Sequence, residues 1–221
     1  SAILGFIFYQ PILTGDYLMN GAENSTQVAL GALMELILVV TAIGTAIGLF
    51  PILRPYGERI ALTHLCFRFF EAVIITVGIV SVLSLLTLSE EFVAADAPDA
   101  SAFHAVGTVL LAIHDWTFML GPYFMLGINT LMYSYLLYKS NLVPRPLATL
   151  GMTGAILVFG GAMLVLFDVA VQGSAVVTLM AMPIAFYEMI LAAWLIGKGF
   201  KPSAIAGQPA PKVTNQRLSA A

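Results

Sequence analysis

Polar positions are so sparse along this chain that the apolar runs between them define it. Six runs stand out: residues 1–13, 28–53, 60–88, 103–138, 147–171 and 175–197. The apolar residues in each are continuous rather than alternating, which reads as helix and not as half-buried strand. A lipid-exposed open sheet is excluded by its unpaired edges. A hydrocarbon core about 30 Å thick takes roughly 20 apolar residues in helix, and five of the runs reach that length. The first is shorter and has no signal-peptide n-region before it, so it reads as a helix whose beginning is missing or processed. The fourth, at 1.5 Å per residue, would stretch about 54 Å, too long for one span. It is expected to begin as an interfacial or protruding piece over 103–115 and to cross the membrane over 116–138, kinked at Gly121-Pro122.

The connections sort by charge. Arg54 and Arg59, Lys139 and Arg145, and Lys198, Lys201, Lys212 and Arg217 all fall on one side if every run spans, leaving Arg68 as the exception among nine basic residues. The alternate connections carry Asp16 and Glu23, then Glu90, Glu91, Asp96 and Asp99. The positive-inside rule makes the basic side cytoplasmic. The predicted fold is therefore all-α: a polytopic membrane helix bundle of about six transmembrane helices with both termini cytoplasmic. One domain is expected over 1–200, followed by a flexible cytoplasmic tail, 201–221, rich in Pro, Ala, Ser and Gln. Tyr133, Tyr135, Tyr138 and Trp194 are expected to form an aromatic belt near the cytoplasmic ends.

Composition agrees. The 221 residues are 60% hydrophobic and 10% charged, whereas a soluble domain is about 25% charged. A net charge of −3 argues against a nucleic-acid partner. The single cysteine, Cys66, permits no internal disulfide.

Against this background the few buried ionisable residues carry the chemistry. Arg68 lies nine residues beyond Arg59, about 14 Å into the membrane, where an unpaired charge costs at least a few kcal/mol. His64 at i−4 and Glu71 at i+3 share its helix face. Glu188, ten residues before Lys198, reaches about the same depth. This layer of His64, Arg68, Glu71 and Glu188 reads either as a substrate, proton or lipid-headgroup site, or as an ion pair locking two helices together. Secondary candidates are Glu35, about 12 Å below the outer surface, and His114 with Asp115, which length counting puts at the outer rim. Pro122 and Pro183 each leave a helical carbonyl without its donor, as at transporter binding sites or in ordinary kinks. Gly44 and Gly48 form a GxxxG pattern, expected to be buried against another helix of this chain or of a partner. Phe69-Phe70-Glu71 echoes Phe186-Tyr187-Glu188, a weak hint of inverted repeats.

Other chemistries drop out. No lysine lies at mid-membrane, as retinal requires, and the histidines do not share a depth, as a bis-histidine haem requires. There is no HExxH and no CxxC. Neither a cofactor nor a metal site is expected.

The chain resembles a family of bacterial membrane proteins, domain of unknown function family 4386. The likeness rests on Leu49-Phe50-Pro51-Ile52-Leu53, on Arg68-Phe69-Phe70-Glu71, on Tyr138-Lys139-Ser140-Asn141-Leu142-Val143-Pro144-Arg145, and on Tyr187-Glu188 leading into Trp194-Leu195-Ile196-Gly197-Lys198-Gly199-Phe200. The resemblance implies a six-helix fold in the bacterial inner (cytoplasmic) membrane and implies no activity. From the residues themselves, the leading expectation is a non-catalytic multi-pass component that packs with other membrane subunits or with itself in the bilayer. The alternative is a small transporter or lipid- or ligand-binding protein that uses the Arg–Glu layer. An enzyme is disfavoured, since Cys66 and His64 are two residues apart and point away from each other on a helix.

Overall fold

Two prolines and a glycine punctuate the longest apolar stretch of the chain, and they set its architecture. In the computed structural model, which describes residues 2–95 and 100–201, the second and third runs form one element, α3 (Ser25–Ala94), containing Pro51 and Pro55 and a single non-helical residue, Gly57 (φ 173°, ψ 82°). A straight rod would put Val28 and Leu86 about 87 Å apart. Instead Val28 and Ala32 share a hydrophobic cluster with Ile75, Ile79, Val82, Leu85 and Leu86. The chain therefore turns back at Gly57, and α3 consists of two arms, 25–56 and 58–94. The basic turn expected over 54–59 is compressed to this one break, braced by an exposed Arg54–Glu58 pair at 2.8 Å.

Before it come α1 (Ala2–Leu13) and α2 (Tyr17–Glu23), a short helix the apolar pattern did not announce. It is fastened to the far end of α3: the Ser89 hydroxyl donates to the Leu18 carbonyl (2.7 Å) and accepts from the Ala22 N–H (2.7 Å). The fourth run is continuously helical: α4 (Ala100–Phe118), a π-helical turn (Met119–Met125) and α5 (Leu126–Ser140). Pro122 sits within the π turn. Its missing N–H frees a carbonyl one turn back, so the expected kink takes the form of a widened turn. The piece over 103–115 is not a separate protrusion, because α4 lies along the second arm of α3: the Ser81 hydroxyl donates to the Leu110 carbonyl at 2.6 Å.

Asn141, in the left-handed region (φ 55°), ends α5. Then α6 (Arg145–Leu166) and α7 (Ala175–Gly197) pack face to face. α6 stops short of residue 171 because the chain turns at Asp168 (φ 55°), which is exposed. Small residues allow the close approach: a Cβ at Gly154 would lie 2.7 Å from the Ile184 backbone nitrogen.

Four helices are long and apolar enough to cross a membrane, at 25–94, 100–140, 145–166 and 175–197. The count differs from six because α3 holds two runs and because the twelve residues of α1 reach only about 18 Å. No strand occurs among the described residues. Large apolar side chains cover the outside, among them Val40, Val80, Ile156, Leu179 and Met189, a surface suited to lipid. The two ends differ in charge. Lys139 Nζ donates to the Tyr56 carbonyl and Lys201 Nζ to Asn141 Oδ1, gathering the bend, the α5–α6 turn and the end of α7 into one basic end. Asp96, Asp99, Lys212, Arg217 and the tail beyond 201 lie outside the described residues.

Candidate functional site

α7 leans on α6 and hardly touches α3. The first arm of α3 is held away from it, leaving a cavity of about 1040 Å³ between them. The second arm of α3, the end of α4 and the π turn form its floor. His64, Arg68, Glu71, Glu188, Glu35, His114 and Asp115 all line this one space. Within it they form two groups.

The deeper group is built on the second arm. Arg68 Nη1 donates to both Glu71 carboxylate oxygens, at 3.1 and 3.0 Å. Glu71 is further held by the side-chain amide of Asn129 on α5. His64, 2% exposed, donates from Nδ1 to the Asn129 backbone carbonyl at 3.2 Å. Because a carbonyl can only accept, this bond puts a proton on Nδ1, and in the neutral ring Nε2 is then a bare lone pair. Nε2 is buried without a partner among the described residues. Tyr133 stands beside the His64 ring (5.2 Å between centroids) and stacks on Tyr187 (6.0 Å). Tyr187 receives a hydrogen bond from Ser134 at 2.9 Å. Tyr133 is thus a cavity wall, 6% exposed, and not a belt residue, whereas Tyr135 and Tyr138 remain on the surface. Glu188 enters from α7. It lies close enough to Arg68 to interact electrostatically, but no hydrogen bond or ion pair reaches its carboxylate among the described residues. The expected Arg68 contact is therefore made within one helix, to Glu71, and not across to Glu188.

The second group sits where α1 meets the first arm. The Tyr9 hydroxyl donates to Glu35 Oε2 at 3.2 Å, and Tyr9 meets the His114 ring edge-on at 6.0 Å. His114 is 7% exposed and within electrostatic reach of Glu35. It is buried because α4 docks along the C-terminal half of the second arm, from Phe92 to Gly78, with Tyr9 against its ring. Its neighbour Asp115, 3.4 Å away, has a side chain 62% exposed.

Asn129 and Tyr9 were missed by a reading that weighed charges alone. An amide in the middle of an apolar run is itself a signal, since it needs a partner in the bilayer. Of the two arrangements expected for the glycine pair, the one within the chain is not seen among the described residues, none of which comes within 4 Å of a Cβ built at Gly44 or Gly48. The Phe69-Phe70-Glu71 and Phe186-Tyr187-Glu188 echo is kept only in part: Phe69 and Phe186 are exposed and both glutamates line the cavity, but Phe70 is 57% exposed while Tyr187 is fully buried.

Residues 1–199 match the sequence profile of the domain of unknown function DUF4386, and the chain belongs to that family. Neither the curated proteins nor the solved structures contain a match to it.

Proposed function

We propose that this DUF4386 protein takes a small molecule or lipid into the cavity between the first arm of α3 and α7, as a small transporter or ligand-binding protein of the bacterial inner membrane. One observation carries the reading: the deep ionisable side chains converge on a single large cavity, and among the described residues neither the Glu188 carboxylate nor His64 Nε2 has a hydrogen-bond partner. A lock between helices would spend those groups on each other. The volume is that of a pocket for a drug-sized ligand. Six spans with both termini cytoplasmic fit the charge pattern, with the basic end formed by the Gly57 bend, the α5–α6 turn and the end of α7 facing inward.

A second reading, a non-catalytic component that packs with other membrane subunits, is favoured by the uncovered Gly44–Gly48 face. Catalysis gains little support, since Cys66 is exposed while His64 is buried.

Native mass spectrometry of the protein released from gentle detergent separates the two. The cavity reading expects a small-molecule or lipid adduct that is lost in Ala46→Trp, where the indole fills the cavity wall. Adduct-free protein arriving with stoichiometric membrane subunits would instead establish the packing reading.

A further inference from the structure

The charges around the cavity do not balance. Its walls carry one guanidinium, Arg68, against four carboxylates, Glu35, Glu71, Glu188 and Asp115. Arg68 spends its contact on Glu71, so that pair is internally neutral. Glu35 is hydrogen-bonded by Tyr9 and Asp115 touches His114. Glu188 has neither kind of partner among the described residues. The Nε2 lone pair of His64 is a second unmatched acceptor, and both groups are within electrostatic reach of Arg68. A carboxylate without a donor is costly against apolar walls. The unused guanidinium donors of Arg68 can hold water or a neutral oxygen, since its charge is already matched. What the site lacks is a positive charge that carries N–H groups. The remaining surface is apolar, formed by Leu38, Ala42, Ala46 and Leu49 from α3 and by Leu191 and Leu195 from α7. Phe118, Tyr123 and Tyr133 also border the space, and a ring turned toward a cation attracts it further.

Resting on the cavity reading above, we infer that the ligand is an amphiphilic organic cation: a protonated amine received by Glu188, with an apolar body lying along α3 and α7. An anionic ligand would have to displace Glu71 from Arg68. An inorganic cation would leave the apolar walls without purpose.

Three probes of one skeleton test this: phenylbutylamine, phenylbutanol and phenylbutyrate. Each is titrated calorimetrically into the full chain in phosphatidylcholine nanodiscs, with empty nanodiscs subtracted. The amine is expected to bind at least about tenfold more tightly than the alcohol and the acid to bind most weakly, since a charge-assisted hydrogen bond carries that order of discrimination. In Glu188→Gln the amine should lose about tenfold in affinity, while the alcohol binds as before and so reports an intact cavity. Equal binding of amine and alcohol, or an unchanged amine affinity in Glu188→Gln, overturns the cation inference and leaves the cavity reading standing. Tightest binding of the acid overturns it in favour of an anion held by Arg68. Failure of all three probes overturns both readings.

Discussion

Separating Arg68 from Glu71 is the most informative perturbation of this fold. The pair is held by two hydrogen bonds of 3.1 and 3.0 Å from one guanidinium nitrogen, and the two side chains are 16% and 5% exposed. Solvent screening is therefore weak. Removing one partner of such a pair costs about 3–5 kcal/mol, whereas replacing both with apolar residues of similar volume is close to neutral. Arg68→Met should cost about 3 kcal/mol, the lower end, because Glu71 can take up a proton and keeps its bond from Asn129. Glu71→Leu should cost as much or more, because a guanidinium cannot shed its charge. Glu188 is near enough to soften that loss, so adding Glu188→Gln should deepen it. Arg68→Met/Glu71→Leu together should cost less than the sum of the two, with a coupling of about 2 kcal/mol or more. Unfolding in mixed micelles titrated with dodecyl sulfate, followed by helical circular dichroism, measures all four corners of the cycle. Additivity within about 0.5 kcal/mol would refute the claim that these charges depend on each other.

Other substitutions probe the same framework. Gly154→Ala should destabilise by about 1–3 kcal/mol in that titration, because the new methyl meets Ile184 backbone atoms at 2.7 and 2.9 Å. Gly44→Ala, with open space before it, should stabilise the isolated chain by up to about 1 kcal/mol; a loss there would show that another copy or subunit covers the face. Asn129→Leu should cost about 1–3 kcal/mol by withdrawing a donor from buried Glu71, and an unchanged midpoint would remove Asn129 from the site. For orientation, single cysteines in a Cys66→Ser background are labelled with a membrane-impermeant maleimide. Asp168→Cys should react in intact cells and Lys139→Cys only after permeabilisation, and the reverse pattern would invert the topology.

The apolar runs were enough to specify helices, and the run at 175–197 coincides with α7 to the residue, because in a bilayer a continuous apolar stretch has no other way to satisfy its backbone. The charged connections likewise foretold which ends meet, since lysine and arginine are barred from the hydrocarbon and gather where the chain leaves it. Arg68 and Glu71 were legible as partners because i and i+3 share a helix face whatever the fold does elsewhere.

What tertiary structure alone decided is how those helices lie against one another. Sequence counts depth along each helix from its own end, and that count cannot register one helix against the next. Docking of α4 along the second arm of α3 drew His114 inward beside Glu35, and it set Asn129 against both Glu71 and His64. The weak contact between α7 and α3 left Glu188 facing Arg68 across open space instead of joined to it. The cavity exists because these two elements pack only weakly, a property that no single segment encodes. In the bilayer, where lipid solvates apolar side chains as well as another helix does, small residues and a few hydrogen bonds decide where helices close and where they stay apart.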